Sequence, residues 1–502
     1  RLGLRERTRT PTHMLRTHTL RPTRASPRLA GLKPARSQSP SRAGGSTPAT
    51  SSAKPARKAG GKPQPEYEFG GPAGAAGVML LLPLVIGFLY AGCGKHGCIR
   101  LPEDALDVLA AAPLAPLWDW TAAAVVAGWT ALHFLLYVAL PGPRVEGVVL
   151  ADGSRLKYPM NGHLAFWLSL AGFWHGLPLL GCKQSWVYDA YLPLATAACA
   201  LSVALSVWSH ALSYLPNTPL AEGGQTGNPV YDFFIGRPLN PRIGSLDLKA
   251  CCELRPGLVG WAVLNLGLAA KQHEQQGEVS WSMVAVVGGQ LLYVWDALYN
   301  EQAILTTMDI TTDGFGFMLA FGEPRAACHL PPPPLLQPSP GIGPSGDLAW
   351  VPFTYSLQAR ILVDHDPRLP APAVAAIAAL GALGYVVFRG ANSQKDAFRR
   401  DPSDPAVSHL QWMQTKRGTK LLVSGWWGAA RKINYTGDWL MGLSWSLACG
   451  AASPVAYFYP VYFAVLLVHR ALRDDHFCAT KYGADWEAYK RRVPFVFVPG
   501  IL

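Results

Sequence analysis

Charged side chains are scarce in this sequence. Only 15% of its 502 residues are Asp, Glu, Lys or Arg, whereas half are apolar and 17 are tryptophan. The stretch 439–468 contains no charged residue, and about 20 apolar residues are enough for a helix to cross a bilayer. So little charge excludes an ordinary soluble enzyme, and the composition is typical of a polytopic membrane protein.

Residues 1–65 contain almost no acidic residues and no Phe, Trp or Tyr. They contain one acidic residue, Glu6, and 15 lysines and arginines, so that the segment carries a net charge of +14 while the whole chain carries +12. Such a segment cannot bury enough apolar area to offset the entropy lost on ordering, and we expect a disordered basic tail. Three roles stay open: a solvated tail without a partner, a targeting segment, and an arm that binds nucleic acid or an anionic surface.

Zinc-ligand spacing is also missing from the nine cysteines. The nearest approach is Cys93 and Cys98, which flank His96 after an apolar run. A loop with two free or paired thiols is the simpler interpretation, and we predict no metal site.

Apolar runs recur along the rest of the chain, and most are close to the length of a membrane helix. The last is long enough for two tightly turned helices, with Pro454 and Pro460 at the bend. We therefore predict an all-α polytopic fold with about nine or ten transmembrane helices. The runs lie near residues 76–93, 117–140, 163–181, 191–214, 257–270, 281–299, 349–363, 371–388 and 439–468.

A nucleotide-binding pattern at residues 341–346 is rejected because of its context. These residues match G-x-G-x-x-G, which binds a pyrophosphate only between a strand and a helix. Four consecutive prolines precede the pattern and Pro344 lies within it, which indicates a loop.

Polar side chains gather at both ends of the uncharged stretch 439–468. Charges at the mouth of a membrane segment usually mark a functional site rather than packing. The residues concerned are Arg431, Asn434, Asp438, Arg473, Asp474, Asp475 and Lys481.

This part of the chain resembles the sterol reductase family, which includes the Δ14-sterol reductases, the Δ7-sterol reductases and the lamin B receptor. The resemblance covers residues 66–502 and implies a membrane-embedded reductase domain whose half 388–502 binds NADPH. Residues 323–346 would be an insert between motifs that nearly adjoin in the family. The motifs are YDFFIGRPLNPRIG (231–244), LRPGLVGW (254–261), TTMDITTDGFGFMLAFG (306–322), FRGANSQKDAFRRDPSDP (388–405), LLVSGWWG (421–428), NYTGD (434–438), YFYPVYF (457–463), LLVHR (466–470) and KYGADWEAY (481–489).

Lys395 and Arg399 lie four residues apart and so share one face of a helix. Spacing alone favours a positive juxtamembrane cluster that sets topology. The resemblance implies instead that both residues contact NADPH. It carries the following residues to the same cofactor pocket: Leu422, Trp427, Asn434, Tyr435, Asp474, Cys478, Ala479, Thr480, Lys481, Tyr482 and Tyr489.

The reaction that the resemblance implies also needs an acid. Reducing an alkene without an adjacent carbonyl takes a proton and a hydride in a site that excludes water. Carboxylates and tyrosines within the membrane are the candidates, and we favour Asp474 with a tyrosine, Tyr299, for the proton path. The other candidates are Asp296, Glu301, Asp309 and Asp313.

Two positions depart from the family pattern, because Lys432 and Thr312 stand where the family usually has histidine. Loss of two imidazoles would alter proton transfer in the pocket. Alternatively, both exchanges are neutral substitutions at the rim of the pocket.

The function predicted from the resemblance is NADPH-dependent reduction of the C14–C15 double bond of a sterol diene. The sterol would enter from the bilayer of the endoplasmic reticulum, which is continuous with the inner nuclear membrane. The alternatives are a Δ7-sterol reductase and a nuclear-envelope scaffold like the lamin B receptor. Residues 306–322 favour the Δ14 branch, whereas the terminal VPGIL (498–502) is nearer to the Δ7 sequences. A methyltransferase is disfavoured, because S-adenosylmethionine has no phosphate for Lys395 and Arg399.

Overall fold

The computed structural model is mostly helical, which confirms the predicted all-α polytopic class. Its described residues are 67–94, 97–100, 102–111, 116–149, 155–322, 348–451 and 453–501. They belong to one unit, Pro65–Leu502. The predictions of a disordered tail (1–65) and of a loop-like insert (323–346) lie outside the described residues.

Among the described residues, twenty α-helices and four small hairpins make up most of the secondary structure, with short 3₁₀ and π-helical segments between them. The helices are α1 (Gly71–Ala91), α2 (Ala105–Ala111), α3 (Trp120–Ala139), α4 (Gly162–Ala171), α5 (Leu177–Leu179), α6 (Trp186–Asp189), α7 (Tyr191–Leu212), α8 (Pro229–Ile235), α9 (Leu248–Leu254), α10 (Pro256–Gln276), α11 (Trp281–Tyr299), α12 (Met308–Thr311), α13 (Phe317–Phe321), α14 (Trp350–Tyr355), α15 (Leu357–Asp364), α16 (Ala371–Arg400), α17 (Trp426–Ala429), α18 (Ile433–Leu447), α19 (Phe458–Tyr482) and α20 (Ala484–Arg492). The hairpins, all antiparallel, are β1 (Cys93–Gly94) with β2 (Gly97–Cys98), β3 (Arg144–Val149) with β4 (Arg155–Pro159), β5 (Arg242–Ile243) with β6 (Leu246–Asp247), and β7 (Trp412–Gln414) with β8 (Lys420–Leu422).

Six helical segments in the described part of the chain are long and apolar enough to cross a membrane: α1, α3, α7, α11, α16 and Pro454–Tyr482. This is fewer than the sequence predicted, because several apolar runs fold as broken helices. The run near 163–181 turns into a π-helical segment at Gly172–Gly176, and the run near 349–363 is divided between α14 and α15. The run near 257–270 lies in α10, which continues into the polar sequence KQHEQQ.

The last apolar run forms two helices, as predicted. Helix α18 ends at Leu447, and Pro454 begins a single 3₁₀ turn that leads into α19. A proline is tolerated there because the first N–H groups of a helix have no partner within it. Pro460, predicted at the bend, lies in the first turn of α19, where its carbonyl accepts a hydrogen bond from the Trp439 indole.

Contacts at their ends show how α1, α16 and α19 are oriented. Glu68, just before α1, pairs with Arg473 near the end of α19. At the opposite ends, Ser453 donates a hydrogen bond to the carbonyl of Ile99, and the His365 ring, a few residues before α16, lies 2.7 Å from the carbonyl of Gly94. Helix α1 therefore runs antiparallel to α16 and α19. We call the side with Glu68 the proximal side and the side with Gly94 the distal side.

The two cysteines singled out in the sequence lie on the distal side. Cys93 and Cys98 are joined by a disulfide within the β1–β2 hairpin, so the paired-thiol alternative applies. His365 lies beside them, and Arg360 donates a hydrogen bond to the carbonyl of Cys93.

Buried polar groups and aromatic rings hold the helices together. The Gln290 side chain on α11 accepts hydrogen bonds from Trp261 and Asn265 on α10, and donates one to the carbonyl of Tyr355. The Tyr355 ring packs edge-on against Tyr459 of α19, with 4.4 Å between centroids. Because buried polar groups need partners, this network fixes how α10, α11, α14 and α19 pack.

Candidate cofactor site

A cavity opens on the proximal side, where the ends of α16 and α19 meet the β7–β8 hairpin, α17, the start of α18 and α20. It encloses about 810 Å³ of empty space, including its open mouth. Its lining residues are Lys395, Phe398, Arg399, Lys420, Leu421, Leu422, Trp427, Arg431, Lys432, Asp474, Phe477, Cys478, Lys481, Tyr482, Trp486 and Tyr489.

Positive charge dominates this cavity. Six lining residues are cations, and Asp474 is the lining carboxylate. Arg399 and Lys420 are exposed, whereas the other four cations are partly buried. A concave wall with this excess of positive charge attracts and holds a ligand with several negative charges. The six cations are Lys395, Arg399, Lys420, Arg431, Lys432 and Lys481.

The β7–β8 hairpin brings Lys420 to the cavity. Its turn is closed by hydrogen bonds between Thr415 and Thr419, and Gly418 takes the positive φ of 82° that the turn requires. Lys420 Nζ lies 4.4 Å from the centre of the Trp412 ring on the paired strand. A lysine ammonium over an indole face keeps its aliphatic chain ordered, and its charge remains available to a ligand.

Trp427 forms a buried wall of the cavity. Its indole N–H donates a hydrogen bond to the carbonyl of Ala391 at 2.8 Å, which ties α17 to α16. Lys395 Nζ lies 4.0 Å from the centre of the same ring. The ring therefore positions Lys395 through a cation–π contact.

Lys432 and Asp474 form an ion pair in the cavity wall. Their side chains are 12% and 34% exposed, so solvent screens the pair only partly. Burial lowers the pKa of Lys432, but the charge of Asp474, its hydrogen bond and the nearby Tyr435 and Cys478 together outweigh burial, and the net shift of the pKa is upward from the usual 10.5. Lys432 is therefore a fixed cation at physiological pH.

Hydrogen bonds from this part of the wall to the C-terminal segment hold it in place. The backbone N–H groups of Arg431 and Lys432 donate to the carbonyls of Phe495 and Val496. Arg431 also donates from its guanidinium to the carbonyl of Val493, which lies in the core. Tyr489 on α20 lines the same wall, and burial raises the pKa of its phenol to about 12, so it remains a hydrogen-bond donor.

The structure brings together nine of the thirteen residues predicted to bind the cofactor. These are Lys395, Arg399, Leu422, Trp427, Asp474, Cys478, Lys481, Tyr482 and Tyr489. The other four follow lining residues in the chain: Asn434 and Tyr435 are buried in the first turn of α18, Ala479 is half-buried, and Thr480 is exposed and donates to the carbonyl of His476.

Tyr299, predicted with Asp474 for the proton path, lies elsewhere. It is 65% exposed at the end of α11, where its ring stacks on Trp295 and packs edge-on against His163. The structure does not place it among the residues that line the cavity with Asp474.

The other carboxylates predicted as acids have protein partners. Asp296 pairs with Arg389, and Glu301 pairs with Arg255. The carbonyl of Asp313 accepts a hydrogen bond from the buried Lys249, and its carboxylate accepts one from Thr312, at one of the two positions that depart from the family. Asp309 interacts electrostatically with Arg470 and Glu253.

Several residues of the site did not stand out in the sequence. Lys420, Phe398, Phe477 and Trp486 line the cavity, and only the basic residues around Gly418 in 412–422 could have indicated the hairpin. Behind the cavity, Tyr293 of α11 and Asp438 of α18 are buried neighbours, 7% and 4% exposed. The Tyr293 hydroxyl and one Asp438 oxygen lack a hydrogen-bond partner of normal geometry among the described residues.

Comparisons with known proteins identify the family of this chain. Residues 63–327 and 344–502 match the model of the Ergosterol biosynthesis ERG4/ERG24 family, and the internal gap between the two matches, 328–343, falls within the proposed insert. The chain is 44% identical over 437 residues to Delta(14)-sterol reductase erg24 of Schizosaccharomyces pombe, covering 86% of this chain and 97% of that protein. It is 45% identical over 440 residues to Delta(14)-sterol reductase TM7SF2 of Mus musculus, covering 87% and 98%.

A further relative is Delta(14)-sterol reductase LBR of Gallus gallus. The two chains are 44% identical over 436 residues, which are 86% of this chain and 64% of that protein. With a family match over most of its length and relatives of this similarity, the chain belongs to the Ergosterol biosynthesis ERG4/ERG24 family.

Proposed function

We propose that this protein reduces the C14–C15 double bond of a sterol diene in sterol biosynthesis, with NADPH as the reductant. The observation that carries the proposal is the cavity, which is lined by six cations, Trp427 and Tyr489. It occurs in a chain whose relatives are named Delta(14)-sterol reductase. The sterol is a lipid and reaches the protein from the bilayer.

The lining residues fit a phosphorylated dinucleotide. NADPH carries about four negative charges on its 2′-phosphate and pyrophosphate, and lysine and arginine are the side chains that bind such groups. The exposed Arg399 and Lys420 lie where a phosphate would keep part of its hydration. Trp427, Tyr482 and Tyr489 offer flat surfaces for the rings. When bound, NADPH supplies the hydride.

The proton path is proposed to involve Asp474 and a tyrosine. Tyr299 remains the tyrosine that the sequence suggested, but its exposure argues for a buried alternative. Tyr293 is that alternative, because it lies in a water-poor interior where its hydroxyl interacts with the Asp438 carboxyl group. Arg470 interacts electrostatically with both Asp474 and Asp438, and so links the cavity to this pair.

The endoplasmic reticulum membrane is the proposed location. Disulfides persist in an oxidising compartment, so the distal side, with Cys93 and Cys98, would face the lumen. The proximal cavity would then face the cytosol. Helix α1 begins on that side, a few residues after the basic sequence 1–65, and cytosolic segments of membrane proteins are rich in lysine and arginine.

A conversion assay tests the proposal. Membranes from cells that lack sterol reductases and express this protein, given NADPH, should convert a Δ8,14-sterol diene to the Δ8 product and NADP⁺. Protonation at C15 leaves a tertiary allylic cation at C14, so deuterium from labelled NADPH should appear at C14 and deuterium from D₂O at C15. Consumption of a Δ5,7-diene with the Δ8,14-diene untouched would contradict the proposal and favour a Δ7-sterol reductase.

A nuclear-envelope scaffold remains the second candidate function. A relative named LBR and the basic tail favour it, and it is compatible with reductase activity. Membranes that bind chromatin only when residues 1–65 are present would support it.

A further inference from the structure

The ion pair between Lys432 and Asp474 places a carboxylate in a cavity whose other charged lining residues are cations. A cavity for a ligand with several phosphates gains from cations, but a carboxylate in the same wall repels phosphate. Asp474 therefore has to face a part of the ligand that carries no phosphate. In NADPH the uncharged hydrogen-bond donors are the carboxamide of the nicotinamide, the ribose hydroxyls and the adenine amine.

Lys432 differs from the other cations of the cavity in how its charge is used. Its ammonium contacts Asp474 and lies 5.4 Å from the centre of the Tyr435 ring. Its side chain is only 12% exposed, and its backbone N–H is held by the carbonyl of Val496. Arg399 and Lys420, in contrast, are exposed at the mouth. Lys432 is thus anchored on both its backbone and its side chain, and its charge is directed at Asp474.

Asp474 lies among cations on three elements. Lys432 approaches it from the turn before α18, Lys395 from α16, and Arg470 from the preceding turn of α19. A carboxylate in this setting stays ionised and accepts hydrogen bonds. Without Lys432, the remaining attraction would come from Lys395 and Arg470, and the carboxylate would move toward them.

We propose that Lys432 is a positioning residue, which holds the Asp474 carboxylate as a fixed acceptor for the nicotinamide–ribose half of NADPH and does not bind its phosphates. This inference rests on the proposed function. Asp474 then serves as a hydrogen-bond acceptor for the cofactor, in addition to its place with a tyrosine in the proposed proton path.

Two ligands separate the two halves of the cofactor. NADPH contacts the whole cavity, whereas 2′,5′-ADP contains only the adenosine half with the 2′-phosphate. In the detergent-solubilised full chain, Lys432→Met should weaken NADPH binding about tenfold and leave the Kd of 2′,5′-ADP unchanged. Asp474→Asn should give the same result, and the double variant should lose no more than either single one, because both changes remove one interaction. Lys432→Arg should restore most of the NADPH affinity.

The controls decide what a negative result means. Arg399→Ala should weaken both ligands, because it removes a phosphate contact. An equal loss of both ligands in Lys432→Met, with an unchanged melting temperature, would identify Lys432 as a phosphate ligand and overturn this inference alone. If the parent protein bound neither ligand, the proposed function would fail as well, and the two failures are thus distinguishable.

Discussion

Arg473 donates a hydrogen bond from Nη2 to Oε1 of Glu68 across 3.1 Å, although the two residues are 405 positions apart. Arg473 is adjacent in sequence to Asp474, and Glu68 lies at the entrance to α1. The start of the first membrane helix is therefore held beside the cavity wall. This pairing, together with the contacts of His365 and Ser453 on the distal side, determines which ends of the helices lie together.

The sidedness of the helices can be tested with a thiol reagent. Cys182 is exposed and close in sequence to Tyr188, whose hydroxyl contacts Asp364 on the distal side. In sealed microsomes with the cytosolic face outward, a membrane-impermeant maleimide should leave Cys182 unlabelled until the vesicles are permeabilised. A cysteine introduced at the exposed Ser408, eight residues after α16, should react at once. Reaction of Cys182 in sealed vesicles would reverse the proposed orientation.

Two neighbouring arginines at the end of α16 test the phosphate site. Arg399 lines the cavity, whereas Arg400 is paired with Asp396 on the exposed helix surface. Because hydrogen bonds to charged groups contribute about 1.5–3 kcal/mol, Arg399→Ala should raise the Kd of NADPH roughly 10- to 150-fold. The Kd of NADH, which lacks the 2′-phosphate, should change much less. Arg400→Ala is the matched control and should leave both constants unchanged; equal effects of the two variants would refute the assignment.

A buried ion pair near the start of α10 should be important for stability. Arg255 contacts Glu301 at 3.3 Å with both side chains less than 8% exposed, and Glu301 also accepts two hydrogen bonds from the N–H of Gly162. Removing one partner leaves a buried charge, which typically costs about 3–5 kcal/mol. Glu301→Ala should therefore lower the melting temperature of the solubilised protein strongly. Glu146→Ala removes the exposed pair with Lys157 and should change it little.

Much of the fold could be predicted from composition, because lipid-facing helices need long apolar runs that are visible in the sequence. The number of membrane spans was harder to predict. Apolar residues also fill the protein core, and α14 and α15 are buried at nearly every position without being long helices. Hydropathy measures the preference of a residue for an apolar environment, and it does not distinguish lipid from protein interior.

The candidate cofactor residues were predicted through motifs, and the structure gathers most of them in one cavity. What the sequence could not indicate is the pairing of charges. Lys432 and Asp474 are 42 residues apart, and only the antiparallel packing of α18 and α19 brings them together. The sequence also could not indicate which of Tyr293 and Tyr299, six residues apart on α11, is buried. Their different exposure follows from the face of the helix that each occupies.

Glu253 should make stability depend on pH. It is 4% exposed on α9, and burial together with the nearby charge of Asp309 raises its pKa well above the usual 4.5. The folded state thus keeps a proton that the unfolded chain releases above pH 4.5, so stability falls as the pH rises toward the raised pKa. Glu253→Gln removes this pH-dependent loss of stability, because glutamine does not titrate. The difference in melting temperature between the variant and the parent should shift in favour of the variant as the pH rises above 4.5, and a constant difference would contradict the raised pKa.

Two glycine motifs, one at Gly236 and one at Gly314 and Gly316, approach each other closely. Gly236, at the end of α8, has a φ of 96°, and a Cβ there would lie 2.3 Å from the backbone nitrogen of Gly316. On the facing segment, a Cβ on Gly314 would lie 1.8 Å from the carbonyl oxygen of Gly236. The segment around Gly236 can therefore contact the DGFG sequence only if both carry glycine.

Gly236→Ala should combine backbone strain with this clash. Strain at a positive φ costs about 1–2 kcal/mol, and overpacking adds about 1–3 kcal/mol. Gly244 isolates the first contribution, because its φ of 59° is also positive and no atom lies within 4 Å of its Cβ position. Gly244→Ala should therefore lower the melting temperature only slightly, and Gly236→Ala much more. If both variants lost the same stability, the positive φ alone would explain the need for glycine at position 236, and the close packing of the two glycine motifs would not.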